Sequence, residues 1–137
     1  GSVFRNAAAF GAGAVLLSPT CCDPLYRKAV RTSMAASTRV PFARIADWPG
    51  ALHRIRADGF VIAALSPRHP AQSLDAFVET VRGARVLLMV GSEGAGLTPD
   101  AEHAADVRVR IPIRDEVDSV NLGVASGIAL SRLSSLA

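Results

Sequence analysis

The chain has 137 residues, half of them apolar, which suffices for one domain with a buried core, and no apolar run is long enough to span a membrane. Its net charge of +3 does not establish a nucleic-acid partner, although 14 of its 15 basic residues are arginines, which suit phosphate groups. The two cysteines, Cys21 and Cys22, are adjacent, and no cysteine or histidine spacing suits a metal. We expect a soluble, cytoplasmic protein without a metal, whose cysteines pack as small hydrophobic residues.

Helices and strands are predicted to alternate along the chain. Asp23 followed by Pro24 is typical of a helix start, and Thr98 before Pro99 is another. Helices are predicted over residues 3–11, 23–33, 47–57, 74–81, 98–105 and after Ser119. The last of them repeats apolar residues at Leu122, Ala125, Ala129, Leu133 and Leu136. Strands are predicted over residues 14–17, 38–45, 60–65, 86–90 and 107–113.

The order of these elements indicates an α/β fold with a parallel sheet covered by helices on both faces. Ligands of such sheets bind beyond the carboxyl ends of the strands. The segments that follow Leu65, Val90 and Ile113 leave three such ends. We therefore expect the functional site where these segments meet.

The segment "GSEGAG", residues 91–96, follows a predicted strand and places three glycines around Glu93. It lacks the lysine of a phosphate-binding loop, and "GAGAV" at 11–15 lacks the third glycine of a dinucleotide fingerprint. Glycines let the main chain approach a ligand closely, and its N–H and C=O groups could read the polar edge of a purine. A plain strand-to-helix turn explains the spacing equally well.

Three blocks of sequence together resemble the motifs of one protein family. The first block contains Gly1, Arg5, Ala7, Phe10 and Gly11. The second contains Gly91, Glu93, Gly96, Leu97, Asp106, Ile111 and Pro112, and the third contains Ser119 and Asn121. In this order and spacing they resemble the SpoU branch of the SPOUT superfamily, S-adenosylmethionine-dependent RNA methyltransferases that mostly act on ribose 2′-hydroxyls.

The resemblance implies a parallel-sheet α/β/α domain, residues 1–137, with a deep C-terminal trefoil knot, and a homodimer whose interface involves the first and last helices. The leading asparagine of the first motif would lie two positions before Gly1. The chain therefore resembles a catalytic domain that begins within its first motif and lacks the N-terminal RNA-binding extension common in the family.

The activity that the resemblance implies is methyl transfer from S-adenosylmethionine to a ribose 2′-hydroxyl of tRNA or rRNA. Methylation of a base on the same scaffold is an alternative. A non-catalytic RNA-binding module is another, which the presence of Arg5, Glu93, Ser119 and Asn121 disfavours.

The family resemblance also implies which residues hold the cofactor, mainly through the main chain of three loops. These are Ala64, Leu65, Ser66, Gly91, Ser92, Glu93, Gly94, Gly96, Ile111, Ile113, Val120, Asn121 and Leu122.

Four residues would be catalytic by the same resemblance. Arg5 would anchor a phosphate or stabilise the developing alkoxide, because a guanidinium stays protonated and makes a poor base. Glu93 would orient the loop or its neighbours, and Ser119 and Asn121 would contact cofactor or ribose. Each has a structural alternative: Arg5 as a surface arginine, and the others as helix caps.

RNA phosphates would be held by Arg5 and by a group of basic residues after the first motif, Arg27, Lys28, Arg31 and Arg39. A solvated helix face explains the same group.

Overall fold

The computed structural model describes residues 1–68, 70–92 and 95–134. Its helices are α1 (Ser2–Ala9), α2 (Arg27–Thr32), α3 (Ala51–Ala57), α4 (Leu74–Thr80), α5 (Pro99–Ala104) and α6 (Leu122–Ser134), with a 3-10 helix over Ala36–Thr38. Its strands are β1 (Val15–Leu17), β2 (Phe42–Arg44), β3 (Phe60–Leu65), β4 (Gln72–Ser73), β5 (Arg85–Met89) and β6 (Val107–Arg110). Within the described ranges, no helix combines the length and hydropathy needed to span a membrane.

The larger sheet is parallel, with strand order β4-β6-β3-β5, and β1 and β2 form a parallel two-stranded sheet. Strand β3 lies inside the larger sheet because β5 and β6 pair with its two edges. A strand in this position needs apolar side chains on both faces, and "FVIAAL" supplies them. The predicted parallel-sheet α/β fold is confirmed.

Helices cover both faces of β3. On one face, Ala63 lies in an apolar cluster with Phe77 of α4 and Ala129 of α6. On the other face, Ile62 packs in a cluster with Leu52 of α3. All five side chains are essentially inaccessible to solvent. Burial of a side chain the size of leucine or phenylalanine stabilises a fold by about 1.5–3 kcal/mol, so these two layers hold the sheet in place.

The register of the sheet brings the carboxyl ends of β3, β5 and β6 to one edge. Ala64 is paired with Met89, and Leu65 with Val109. The segments that leave these strands therefore begin side by side, as the strand order along the sequence predicts. The trefoil knot that the family resemblance implies stays a prediction.

Two predicted helix starts are wrong. Helix α2 begins at Arg27, because the Asp23 carboxylate accepts a hydrogen bond from the Leu25 N–H at 2.9 Å and caps a turn instead. Helix α3 begins at Ala51, whose N–H is bonded to the Asp47 carbonyl at 2.8 Å. Aspartate stabilises turns as well as helix ends, so the pattern alone did not separate the two.

Two predicted strands are shorter than expected, and the prediction that the two cysteines are packed is wrong. The stretch 38–45 contains only β2, because the 3-10 helix occupies its start. Strand β6 ends at Arg110, two residues before Pro112, which has no N–H for a sheet ladder. Cys21 and Cys22 are exposed rather than packed, because the segment after β1 runs over the surface. Leu136, predicted on the last helix, lies outside the described residues.

Candidate active site

Three segments meet at the carboxyl edge of the larger sheet and enclose a hollow of about 460 Å³, here termed the loop cleft. They are the connection from β3 to β4, the segment after β5, and the connection from β6 to α6. The volume lies within the range of small-molecule sites. The described lining residues are Leu65, Ser66, Pro67, Arg68, Val90, Gly91, Ser92, Ala95, Gly96, Leu97, Glu102, Ile111, Ile113, Asp118, Ser119, Val120, Asn121, Leu122 and Ala125.

The segment after β5 closes tightly on itself. The Gly96 N–H donates to the Ser92 carbonyl at 2.9 Å, and Gly96 has a φ of +70°, which favours glycine. A Cβ on Gly91 would overlap the backbone of Gly96 and Leu97, with the Gly96 Cα only 2.7 Å away. Gly91 therefore allows the segment to fold back, and main chain rather than side chains forms this wall of the cleft.

The opposite wall is the start of α6, which Asn121 caps. Its side-chain oxygen accepts hydrogen bonds from the N–H groups of Gly123 at 2.8 Å and Val124 at 3.3 Å. This is the structural role that competes with a ligand contact for Asn121. Asn121 therefore caps α6 from a position that also lines the cleft.

Helix α1 packs against α6 and is joined to it by hydrogen bonds. The Asn6 side-chain amide donates to the Gly123 carbonyl at 2.7 Å and to the Ser126 Oγ at 3.0 Å. Gly123 leaves room for this approach, since a Cβ there would lie 2.9 Å from the Ser2 Oγ. The first motif therefore supports the helix whose start lines the loop cleft.

A buried carboxylate forms part of the cleft lining. The Glu102 side chain is only 4% exposed, and its Oε2 lies 3.1 Å from Arg108 Nη2 and 3.8 Å from Arg68 Nη1. Arg108 Nη1 also donates to the Pro70 carbonyl at 3.3 Å. A buried charge needs such partners to offset its desolvation. The group ties α5 and β6 to the connection that follows β3.

Asp106, a residue of the second motif, joins β6 to β3. Its Oδ2 accepts the Ile62 N–H at 2.8 Å, and its own N–H donates to the Ile62 carbonyl at the same distance. Its Oδ1 accepts from Arg56 Nε at 2.6 Å. Asp106 therefore sets where β6 begins, and its position in the motif has a structural explanation.

The structure brings most of the predicted cofactor residues together. Ten of them line the loop cleft, namely Leu65, Ser66, Gly91, Ser92, Gly96, Ile111, Ile113, Val120, Asn121 and Leu122. Ala64 is not among the lining residues, and its side chain is fully buried in the cluster with Ile62 and Leu52, so a contact through its main chain stays a prediction. Glu93 and Gly94 lie outside the described residues. Of the predicted catalytic residues, Ser119 and Asn121 line the cleft.

The predicted RNA-binding residues lie elsewhere. Arg5 is exposed on α1 and does not line the loop cleft. Arg27, Lys28 and Arg31 project from α2, and Arg39 follows the 3-10 helix; all four are exposed. Within the described residues, none of these five side chains makes a hydrogen bond or ion pair.

Sequence reasoning missed several residues that line the cleft, among them Arg68, Leu97, Glu102 and Asp118. Leu97 directly follows the glycine segment, which was a usable signal. Arg68 lies in a proline-containing stretch typical of a surface loop, and Glu102 lies in a short helix with no sign of burial. Among the described residues, no three side chains of metal-binding type cluster closely enough to hold an ion.

A second hollow lies between α1 and α6 and is here termed the helix groove. It measures about 470 Å³ and is lined by Asn6, Phe10, Gly123, Val124, Gly127, Ile128, Ser131 and Arg132. Phe10, Val124 and Ile128 are exposed there, which makes the groove an apolar surface feature.

Proteins of known sequence or structure are similar to this chain over nearly its whole length. An uncharacterised tRNA/rRNA methyltransferase of Mycobacterium bovis is 45% identical over 129 residues, which are 94% of this chain and 45% of that protein. The crystal structure of an AdoMet-bound rRNA methyltransferase from Sinorhizobium meliloti matches with a TM-score of 0.80 and 32% identity, over 96% of this chain and 49% of that one. The chain thus spans about half the length of these relatives.

A second solved structure matches equally well. The SpoU methyltransferase AviRb from Streptomyces viridochromogenes, in complex with AdoMet, has a TM-score of 0.84 and 26% identity over 98% of this chain and 51% of that one. The sequence model of the SpoU rRNA Methylase family matches residues 1–131. The fold, the order of the motifs and this match agree, and the chain belongs to the SpoU rRNA Methylase family.

Proposed function

We propose that this chain is the catalytic part of an RNA methyltransferase that transfers the methyl group of S-adenosylmethionine to a ribose 2′-hydroxyl of tRNA or rRNA, in the cytoplasm. The observation that carries the proposal is the convergence of three separate segments on one loop cleft. Two solved relatives contain AdoMet, and their names describe methyltransferases of rRNA or of the SpoU type.

The loop cleft fits S-adenosylmethionine in size and in wall chemistry. The glycine main chain on one side offers peptide groups that can bind the polar edge of the cofactor. Around it, Leu97, Ile111 and Ile113 offer apolar surface for a flat ring. A side chain at Gly91 would displace this wall. When bound, S-adenosylmethionine supplies a methyl group attached to a positively charged sulfur. An oxygen nucleophile readily attacks the carbon of this methyl group.

Arg5 is the residue to which we assign stabilisation of the reacting ribose. A guanidinium remains protonated at neutral pH, so Arg5 would hold a phosphate or the developing negative charge rather than accept a proton. Its exposed side chain makes no ion pair within the described residues and therefore retains its donors. Ser119 and Asn121 would contact cofactor or ribose from the far wall, and Glu93 would orient the glycine segment.

The basic residues on and after α2 are proposed to hold RNA. Arg27 and Arg31 are one helical turn apart, and Lys28 lies beside them, so the three share one exposed surface. Arg39 adds a fourth charge after the 3-10 helix. None of the four pairs with a described carboxylate, which leaves them available to phosphates.

A homodimer through the helix groove is part of the proposal. Phe10, Val124 and Ile128 expose apolar surface between α1 and α6, the helices that the resemblance implies at the interface. Burial of these side chains against a second copy would remove that surface from water. Arg5 lies on α1 next to Asn6 of the groove, so pairing would place it near the boundary between subunits.

Calorimetry with S-adenosylmethionine and S-adenosylhomocysteine tests the cofactor, and mass spectrometry of nuclease-digested RNA locates the methyl group. We expect both ligands to bind and the methyl group to be on ribose. Arg5→Ala should keep cofactor affinity and lose transfer. Absence of binding at millimolar ligand would contradict the enzyme assignment and favour an RNA-binding module. If the methyl group is on a base, the ribose assignment is wrong and the chain is a base methyltransferase.

A further inference from the structure

The loop cleft contains one cationic side chain among its described lining residues, Arg68. The other two charged residues of that lining, Glu102 and Asp118, are acids. Arg68 lies on the connection after β3, and about half of its side chain, 53%, is exposed. It therefore borders the cleft and remains accessible to an occupant.

The guanidinium of Arg68 is only loosely engaged. Glu102 is held first by Arg108 at 3.1 Å, whereas Arg68 lies 3.8 Å from the same oxygen. The Arg68 side chain donates no hydrogen bond within the described residues, while its main-chain N–H donates to the Ser66 Oγ at 3.2 Å. Apart from the ion pair with Glu102 at 3.8 Å, its N–H donors have no partner among the described residues.

The charges around Glu102 do not balance. Two guanidinium groups face this one carboxylate, so the group of three side chains has one excess positive charge, located on its exposed member, Arg68. An anionic group within the cleft would neutralise this excess. A planar carboxylate fits the fork of a guanidinium better than it fits a peptide N–H group.

We propose that Arg68 binds the carboxylate of the methionine moiety of S-adenosylmethionine, and that Glu102 positions Arg68 for this contact. The inference rests on the proposed cofactor. The methionine carboxylate is the one negatively charged group of that molecule, whose sulfonium and ammonium groups are positive. Arg68 therefore determines which end of the cofactor lies beside the connection that follows β3.

Calorimetry on the whole chain with two ligands tests this assignment. S-adenosylmethionine has the carboxylate, and decarboxylated S-adenosylmethionine retains the sulfonium and the amine but lacks it. We expect Arg68→Gln to lower the affinity for S-adenosylmethionine about tenfold, which corresponds to the loss of a charge-assisted hydrogen bond. The variant should then bind S-adenosylmethionine about as weakly as the parent binds the decarboxylated ligand. Affinity for the decarboxylated ligand should not change, and Arg68→Lys should give an intermediate loss.

Arg82→Gln is the matched control, because Arg82 is an exposed arginine just after α4 that pairs with Glu79 and does not line the cleft. It should bind both ligands like the parent. If Arg68→Gln loses affinity equally for both ligands, or for neither, the role of Arg68 is overturned, whereas the proposed cofactor is not. Unchanged cofactor affinity with weaker RNA binding would make Arg68 an RNA contact instead. If the parent binds neither ligand, the proposed cofactor itself fails.

Discussion

The two hollows of this molecule have nearly equal volumes, about 460 Å³ for the loop cleft and about 470 Å³ for the helix groove, but their walls differ in kind. The cleft is enclosed by three loop segments with glycine main chain and a buried carboxylate in its lining. The groove lies between two helices and exposes apolar side chains, including Val124 at 53% and Ile128 at 40%.

This difference teaches that wall chemistry rather than volume identifies the kind of partner. Main-chain N–H and C=O groups in an enclosed hollow can recognise the polar edge of a small molecule. Apolar side chains on an open surface offer no such specificity, but they stabilise contact with another protein surface. The cleft should therefore respond to changes in backbone geometry, and the groove to changes in side-chain polarity.

The largest effect is expected in the loop cleft, for Gly91→Ala. A Cβ there would overlap the backbone of Gly96 and Leu97, so the segment must move outward. We expect a loss of about 1–3 kcal/mol in the free energy of unfolding and cofactor binding too weak for calorimetry. Denaturant titration measures the first quantity, and calorimetry with S-adenosylmethionine measures the second.

Gly13→Ala is the control for this variant. A Cβ on Gly13 meets no atom within 4 Å, and the residue lies in the turn before β1, away from the cleft. Its cofactor affinity and stability should match the parent. Parental affinity in Gly91→Ala would show that the glycine wall does not shape the binding site.

The parts of the fold that could be predicted are those that depend on local pattern. Strand β3 was predicted from six consecutive apolar residues, and helix α5 from its cap, where the Thr98 Oγ1 accepts the Ala101 N–H at 3.2 Å. The location of the loop cleft also followed from the sequence, because parallel strands end at a shared edge.

The parts that could not be predicted depend on tertiary packing. Glu102 and Arg108 are six positions apart, on a helix and a strand, and nothing in their spacing indicates that they form a buried pair. Ala64 was assigned to the site by the family resemblance, and the sequence did not show that its side chain is buried in the core. Arg68 was missed because its proline-rich neighbourhood is typical of solvent-exposed loops.

An intermediate effect is expected in the helix groove, for Ile128→Asp. A carboxylate in the centre of an apolar interface loses its hydration without a partner, so dimerisation should weaken by roughly 30-fold or more. Sedimentation equilibrium measures this change. Cofactor affinity should stay the same, because Ile128 does not line the loop cleft.

Leu25→Asp is the matched control for the groove, since Leu25 is also exposed, at 52% against 40% for Ile128, but lies in the segment before α2. It should leave the association constant unchanged. If both variants behave alike, or if the parent is a monomer at high concentration, the groove is not the dimer interface.

The smallest effect is expected for Glu79→Gln, which lies in neither hollow. Hydrogen bonds from Arg82, at 3.0 and 3.2 Å, and the charge of that arginine hold the pKa of the exposed Glu79 carboxyl below its usual value of 4.5. A carboxylate whose pKa is lower in the folded state stabilises the fold above its unfolded-state pKa, and this contribution is lost as the pH falls through the folded-state pKa. Because solvent screens an exposed pair, the melting temperatures of parent and variant should differ only slightly at neutral pH.

That difference should vanish in acid and shrink with added salt, and thermal melts across the pH range measure both trends. Cofactor affinity and dimerisation should be those of the parent. A large change in either would mean that charge on α4 reaches the cleft or the groove, and that the two hollows are not independent sites with separate physical requirements.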